Sequence, residues 1–378
     1  MTYLYSLRVW RKKGEVMLEK IKENLFLLLI ALFMVGSIGV YIFSANQYKV
    51  NSLTSGDKDV IASIDKLKIY ADNLYKDKLD SDTLYWQYRT AVINESQETT
   101  KEIKSSAKKM ANNIDSYYRQ QNPNDENYVA LRKQLSTFGF TGENAIDDYA
   151  ITVKKETELN KKYITKHYDK LVKNVEKKNP KSIYLIFLQQ EEAPAKENTK
   201  AYVNKLIKKN GFKDTAEKYA SVAGNLGLTN NKGLYGYTDK DEESNDFTQD
   251  SSKIPGEIVK QVMEMKKGES FDEWTSVTDS SGNAYFVKAY VDETNIKKML
   301  NSDDETVVDK TISSFVNNNN TLSSDILDHY ASKLKITYKD KKAKKEITKY
   351  LKEMRKNAEE MEEQANEQAN EQTTEQAN

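Results

Sequence analysis

The chain has 378 residues, 31% of them charged, and its 58 basic and 58 acidic side chains cancel to a formal net charge of zero. It contains no cysteine and only two histidines. These counts exclude disulfides and thiol chemistry, and they argue against a zinc site, a Ser-His hydrolase or a basic surface for nucleic acid. We therefore expect no cofactor, no metal and no nucleic-acid partner.

The first feature along the chain is an uncharged apolar run at 25–43. Nineteen helical residues span about 28 Å, close to the hydrocarbon thickness of a bilayer. A short, net basic flank at 1–23 precedes the run, which predicts a cytoplasmic N-terminus, a transmembrane anchor at 24–45 and an extracytoplasmic remainder. A cleaved signal peptide is the alternative, but cleavage after Ala45 would place bulky Phe43 where a small residue is preferred.

A helical region is predicted over 46–180. It opens with a polar spacer and a strand or hairpin at 60–69, followed by the start of a helix at 70–75. Apolar residues then recur at intervals of three and four, which is typical of amphipathic helices. Breaks are predicted at Pro123 and at 138–141, and the last helix ends before Pro180.

The periodicity changes after Pro180. Residues 182–188 form a β-branched and aromatic run with the length of a buried strand. Helices are predicted at 200–209, 212–223 and 255–267, and two strands at 271–277 and 284–291. This order predicts a small α+β domain with an antiparallel sheet over 181–292.

Helices resume in the segment 293–356, with a short strand at 335–338. From 363 onward the chain repeats Glu-Gln-Ala-Asn, in which alanine is the only apolar residue. Such a segment buries too little surface to offset its ordering entropy, so the tail 357–378 is predicted to be disordered.

Four stretches of the α+β block resemble, in the right order, motifs of the parvulin family of peptidyl-prolyl isomerases. They are the first strand at 182–186, Gly-Leu-Tyr-Gly-Tyr at 233–237, the Ile-Pro helix with its Lys-Gly-Glu end at 254–269, and the last strand at 282–288. Outside the block, 62–75, 138–141 and 164–169 are similar to the membrane-attached foldases of the PrsA type in Gram-positive bacteria.

The resemblance implies an architecture. The N-terminal helical region 46–180 and the C-terminal segment 293–356 would pack together as one chaperone lobe. A parvulin-like domain with a four-stranded antiparallel sheet, 181–292, would be inserted in that lobe. The fold class implied is therefore α+β, with a transmembrane helix at its N-terminus.

The resemblance also implies a site. Parvulins carry two histidines that hydrogen-bond to each other, and these positions are Tyr184 and Tyr285 here, while the family's Cys or Asp position is Asn225. A tyrosine, with an ordinary pKa near 10, does not reproduce the tautomers of an imidazole, so a weakened or lost isomerase is expected. The pocket for the proline ring would be lined by Ile254, Ile258, Met263, Met265 and Tyr235. The alternative is that the two methionines belong only to the core face of a helix.

Two functions follow from the sequence. The first is an extracytoplasmic, membrane-anchored foldase that binds unfolded or partly folded secreted polypeptides, with or without prolyl isomerisation. The second is a non-catalytic surface or secretion-machinery scaffold that uses a degenerate parvulin domain as an interaction module. Homodimerisation through the helical lobe is left open, although no heptad run in the sequence supports it.

Overall fold

The computed structural model describes residues 53–55, 58–64, 67–70, 81–121, 126–241, 243–244, 253–279 and 281–375. The predicted flank and anchor at 1–45 lie outside these residues, as does most of the helix start predicted at 70–75. Within the described residues, no helix has both the length and the apolar character needed to cross a bilayer. Contacts divide the chain into two units, which are described separately: unit 1 contains the residues up to Tyr163 and from Asn320, and unit 2 is Ile164–Asn319.

The described residues are mostly helical. Their helices are α1 (Ser81–Ser96), α2 (Lys101–Gln121), α3 (Glu126–Thr137), α4 (Ala145–Lys166), α5 (Tyr168–Glu176), α6 (Lys200–Asn210), α7 (Phe212–Lys218), α8 (Ala220–Asn225), α9 (Gly256–Glu264), α10 (Ile296–Leu300), α11 (Glu305–Asn317), α12 (Leu322–Ala331) and α13 (Lys341–Glu375). Their strands are β1 (Leu53–Ser55), β2 (Lys58–Ile64), β3 (Leu67–Tyr70), β4 (Ser182–Gln189), β5 (Glu243–Ser244), β6 (Ile254–Pro255), β7 (Thr275–Thr278), β8 (Ala284–Glu293) and β9 (Ile336–Tyr338).

The sheet of unit 1 is centred on β2, which pairs antiparallel with β1, β3 and β9. The hairpin predicted at 60–69 and the strand predicted at 335–338 are thereby confirmed. Val60 pairs with both β1 and β3, and Ala62 pairs with both β3 and β9. Since β3 occupies one edge of β2, strands β1 and β9 lie end to end along the other edge.

The core of unit 1 joins helices from both ends of the chain. Leu84 and Tyr88 of α1 are one helical turn apart and pack with Leu327 of α12 and Ile347 of α13, all nearly inaccessible to solvent. Burying each such aliphatic side chain contributes about 1.5 to 3 kcal/mol. Unit 1 is therefore completed only by residues that are distant in sequence.

The sheet of unit 2 has three antiparallel strands in the order β4-β8-β7. The segment 233–238 lies along the free edge of β4, where the Leu185 amide donates to the Gly233 carbonyl at 2.9 Å and the Tyr235 amide donates to the Ile183 carbonyl at 3.0 Å. Four strands were predicted. The edge segment does not form a regular fourth strand because Gly233 and Gly236 adopt φ values of +72° and +94°, which interrupt the extended conformation.

Side chains of β4 alternate between the two faces of this sheet. Ile183, Leu185 and Phe187 enter a core that is covered by α9. Ile186 and Leu188 enter a second cluster, which includes residues of α6 and α7. Both faces of the strand are therefore buried, which explains its continuous apolar sequence.

Unit 2 extends beyond the predicted limits of the α+β domain, from 181–292 to Ile164–Asn319. Helix α11 belongs to it because Phe315 is fully buried and Ser314 lies 2.5 Å, Oγ to hydroxyl, from Tyr237. The side chain of Asn319 likewise donates to the Leu171 carbonyl of α5. Buried contacts thus join the flanking helices to the sheet domain.

Helix α13 continues to Glu375, so the prediction of a disordered tail from 357 is wrong for the described residues. That prediction considered only the apolar area available for burial. Extending an existing helix requires no new nucleus, and Ala, Glu and Gln are all strong helix formers. Ala358 is also buried, only 7% exposed.

The close approach of Gly233 to α7 predicts a specific sensitivity. A Cβ at this position would lie 2.6 Å from the Ala216 carbonyl oxygen, whereas a Cβ at Gly268, with φ of +89°, would meet nothing within 4 Å. We expect Gly268→Ala to lose about 1 to 2 kcal/mol from backbone conformation alone, and Gly233→Ala to lose about 1 to 3 kcal/mol more from overpacking. Hydrogen exchange of β4 amides measures both, and equal losses would contradict the proposed clash.

Candidate functional site

The two tyrosines of the predicted isomerase site lie on opposite faces of the unit 2 sheet. Tyr285 pairs with Gln189 and belongs to the core under α9, whereas Tyr184 pairs with Tyr290 and belongs to the cluster on the other face. They therefore do not face each other, unlike the two hydrogen-bonded histidines of parvulins to which the resemblance matches them. The reason is the register of β4 with β8, which places Tyr184 and Tyr285 at positions of opposite parity.

Tyr285 is buried beside the turn that joins β7 to β8. Its hydroxyl donates to Asp279 Oδ2 at 3.3 Å, and its ring lies 6.0 Å, centroid to centroid, from Phe187 in an edge-on arrangement. Asp279 also accepts from the amides of Ser281 and Asn283, at 3.0 and 2.8 Å. Tyr285 therefore serves to hold this turn, and Asp279 was not among the predicted site residues.

The electrostatics of this pair favour a fixed proton. Burial first, and then the neighbouring Asp279 carboxylate, raise the pKa of Tyr285 above its ordinary value of 10. Burial disfavours the ionised form of Asp279, but the hydrogen bonds from Asn283, Tyr285 and Ser281 outweigh it and lower the pKa of this carboxyl. At neutral pH the tyrosine is a permanent donor and the aspartate a permanent acceptor, so the pair cannot exchange roles as two imidazoles do.

Tyr184 packs among charged and aromatic side chains on the opposite face. The ammonium of Lys213 lies 5.3 Å from the centroid of its ring and pairs with Asp292. Burial, followed by the charge of Asp292, raises the pKa of Tyr184. This hydroxyl also stays protonated at neutral pH.

The residues predicted to line a proline pocket are mostly core. Ile254 and Ile258 are fully buried and Tyr235 is 1% exposed, while Met263 and Met265 are half-buried and pack against the same cluster. The structure thus brings these five residues together with Tyr285. They fill the space beneath α9 with their own side chains, as the core-face alternative proposed.

Asn225 is the third predicted polar residue, and its neighbours Ala223 and Leu226 pack in this cluster. It is the last residue of α8, and its side chain is exposed. No described hydrogen bond joins Asn225 to Tyr184 or Tyr285. The three predicted catalytic positions do not converge on a common point.

Lys181 is a buried cation that the sequence did not single out. Its ammonium donates to the carbonyl of Met263 at 3.0 Å and also to that of Met265, where α9 ends. Burial lowers the pKa of this lysine, and the charge of Glu269 opposes the shift. A cation at a helix C-terminus is favourable, so Lys181 fixes the position of both methionines. No spacing in the sequence distinguishes it from the many exposed lysines.

The edge segment that carries Tyr235 is anchored by a second buried polar group. Tyr237 donates to Asp239 Oδ2 at 2.9 Å and lies beside Ser314 of α11, and Asp239 is 6% exposed. Burial, the largest influence, raises the pKa of Asp239 despite the hydrogen bonds from Asp241 and Tyr237. The segment is thus held by hydrogen bonds to a carboxyl whose ionised form is disfavoured by burial.

Unit 1 contains a small, shallow cleft between α1, α4 and α12, with a volume of about 30 Å³. Val92, Ile93, Leu159, Ile326 and Leu327 form its apolar floor, and Arg89, Glu156, Asn160, Ser323 and Tyr330 form its polar rim. Arg89 and Glu156 form an ion pair across the rim. An apolar floor with a few polar groups is the usual composition of a binding site. In the described part of the chain, no group of three or more His, Asp or Glu side chains is arranged to hold a metal ion.

Comparisons with known proteins give structural similarity only. No family model and no curated protein matches the chain. Among solved structures, the foldase protein PrsA from Streptococcus pneumoniae is similar at 15% identity and a TM-score of 0.32, covering 71% of this chain and 90% of that one. PrsA from Lactococcus lactis is similar at 15% identity and a TM-score of 0.33, covering 78% of this chain and 99% of that one. TM-scores at this level do not establish a shared fold.

The buried carboxyl predicts a pH dependence in unit 2. The folded-state pKa of Asp239 lies above the unfolded value of about 3.9. Its stabilising contribution is therefore complete below that pH and is lost as pH rises through the folded pKa. We expect Asp239→Asn to gain stability relative to the wild type between pH 4 and pH 7, by about 1.4 kcal/mol per unit of pKa difference.

Hydrogen exchange of amides in 233–238 at each pH tests this expectation. Asp214→Asn removes an exposed carboxylate of α7 and controls for the change in net charge. A difference between wild type and Asp239→Asn that does not vary with pH would contradict the assignment.

Proposed function

We propose that this chain is a foldase-class chaperone that binds unfolded segments of secreted polypeptides, and that binding rather than prolyl isomerisation is its principal activity. The observation that carries the proposal is the organisation of unit 1. It is a helical unit assembled from both ends of the chain, with unit 2 inserted between them in sequence. The resemblance of the sequence to PrsA-type foldases implies the same arrangement.

The arrangement of unit 2 favours binding over catalysis. An isomerase must grip the proline ring in an apolar pocket and stabilise the twisted amide. Here the apolar residues expected to form that pocket are packed against one another, and the two tyrosines are on different faces. We infer that unit 2 keeps a parvulin-like sheet without a working catalytic centre.

The cleft of unit 1 is the surface that we assign to client segments. An apolar side chain of a client would lie on the floor, while the rim would accept or donate hydrogen bonds to its backbone. Arg89 has N–H donors beyond its ion pair with Glu156, and Glu156 and Asn160 supply acceptors, as does the Tyr330 oxygen, whose O–H donates to the Leu159 carbonyl. Such a surface is tolerant of sequence, since backbone groups are common to every client.

The chain would act outside the cytoplasm, held at the membrane by the apolar run at 25–43. The support for this part of the proposal is the sequence: a bilayer-length run without charge after a short basic flank. The region that would emerge from the membrane contains both units.

A proline-switch peptide and an aggregating client separate the functions. We expect cis/trans isomerisation of the X-Pro bond to keep its uncatalysed time constant of tens to hundreds of seconds. The wild type, Tyr184→Phe and Tyr285→Phe should give the same value. Light scattering of an unfolded client should fall in the presence of the chain. Acceleration that is lost in Tyr285→Phe would instead establish an isomerase. Failure in both assays, with one tightly bound partner, would favour the scaffold.

Filling the cleft should weaken client binding without unfolding unit 1. Ser323 is exposed on the rim, and an arginine there can reach the carboxylate of Glu156 and cover the floor. We expect Ser323→Arg to reduce suppression of aggregation about tenfold, which corresponds to losing about 1.4 kcal/mol of binding. Thermal unfolding should be unchanged.

Ser332→Arg is the matched control, since Ser332 is exposed after the other end of α12 and does not line the cleft. Equal activity of the two arginine variants would exclude this cleft as the client surface.

A further inference from the structure

The first part of helix α13, from Lys341 to Lys356, carries a basic face. The buried side of the helix, which includes Ala343, Ile347 and Ala358, packs on unit 1. On the opposite side, lysines recur at intervals of three and four, and all are exposed. This lysine stripe consists of Lys341, Lys345, Lys349, Lys352 and Lys356. With 3.6 residues per turn, the five lie within roughly a quarter of the helix circumference and extend over about 22 Å.

Between Lys341 and Lys356 no acidic residue lies within the lysine stripe, and beyond Lys356 the same face continues with Glu359. Glu346 and Glu353 are at its margins, and the ion pairs Lys349–Glu353 at 3.7 Å and Lys356–Glu360 at 3.4 Å are both exposed and within the helix. Exposed ion pairs of this kind contribute little to stability. The acidic residues of α12 pair instead with Arg355, on the flank of α13. The stripe therefore presents a net positive charge to solvent, although the chain as a whole has none.

The sheet of unit 1 places the start of this stripe near the predicted membrane anchor. Leu53 pairs with Val60 and Tyr338 pairs with Ala62, on the same edge of β2. Leu53 and Tyr338 are therefore separated by two residue positions along this edge, or about 7 Å. Helix α13 begins three residues after Tyr338. Seven residues, 46–52, connect the predicted anchor to Leu53 and can reach at most about 25 Å.

We propose that the lysine stripe of α13 binds the anionic phospholipid headgroups of the membrane in which the chain is anchored. The inference rests on the proposed membrane anchoring. A tether this short keeps the stripe at a high effective concentration near the bilayer. Clusters of exposed lysines near a membrane are attracted to anionic headgroups, and this attraction is screened by salt. Binding would fix the orientation of unit 1 on the membrane surface.

The absence of cysteine from the chain makes the test direct. Thr348 is exposed beside the stripe, so Thr348→Cys accepts a single fluorophore. The labelled full-length chain is incorporated into vesicles of phosphatidylcholine alone, or of phosphatidylcholine and phosphatidylglycerol in equal parts, each with a nitroxide-headgroup lipid as quencher. We expect quenching about fivefold stronger with phosphatidylglycerol, and its loss in high salt.

Two matched variants identify the groups responsible. Replacing the five lysines of the stripe with glutamine should reduce quenching to the level seen in phosphatidylcholine. The control replaces five exposed lysines of unit 2 with glutamine, which changes the net charge equally and should leave quenching unchanged. These control residues are Lys205, Lys208, Lys209, Lys260 and Lys266.

Other outcomes would overturn the proposal. Equal quenching in both vesicles, or equal losses in the two glutamine variants, would show that the stripe does not recognise anionic lipid. A lysine-dependent disulfide dimer of Thr348→Cys that forms with or without phosphatidylglycerol would show that a second copy occupies the face. Alkaline extraction of the same vesicles tests the anchor independently. A chain that is extracted yet quenched only with phosphatidylglycerol would refute the anchor and support the stripe.

Discussion

Eight residues of β4 pair with β8, from Ser182 opposite Glu293 to Gln189 opposite Tyr285. This register decides which side chains share a face of the sheet. It places one apolar set beneath α9 and the other beneath α6 and α7, so both faces need covering helices. It also separates Tyr184 from Tyr285. A shift of one residue would reverse these assignments, which is why pairing, rather than the presence of two tyrosines, determines what unit 2 can do.

The chain combines high charge with narrow apolar surfaces, and its binding properties follow from that balance. Few large apolar side chains of the described residues are strongly exposed, Val129 and Met361 being the examples. Under the proposed function, contact with a client would come from small clefts with polar rims and from half-buried tyrosines, which combine apolar area with a hydroxyl group. Such contacts would be individually weak and reversible, which the release of a client requires.

Local patterns in the sequence were sufficient for much of the fold. The hairpin at 60–69, β4, β8 and the strand at 335–338 all follow from runs of β-branched and aromatic residues between turn signals. The site could not be predicted in the same way, because the face occupied by Tyr184 depends on a partner strand about a hundred residues away. Lys181 and Asp239 are buried only through tertiary contacts, and the cleft between α1, α4 and α12 has no local signal. The tail was misjudged because helix extension depends on the residues before it.

Unit 1 includes the pairing of Ala62 with Tyr338 and the packing of Leu84 against Ile347, whereas unit 2 is continuous in sequence. During synthesis from the N-terminus, every residue of unit 2 is available before α12 and α13 are made. Until then strand β2 lacks its partner β9, and helix α1 lacks the helices that cover Leu84 and Tyr88. Early folding of unit 2 shortens the loop that remains to be closed and lowers its entropic cost. An inserted domain that folds first thus lowers the cost of closing the unit that contains it.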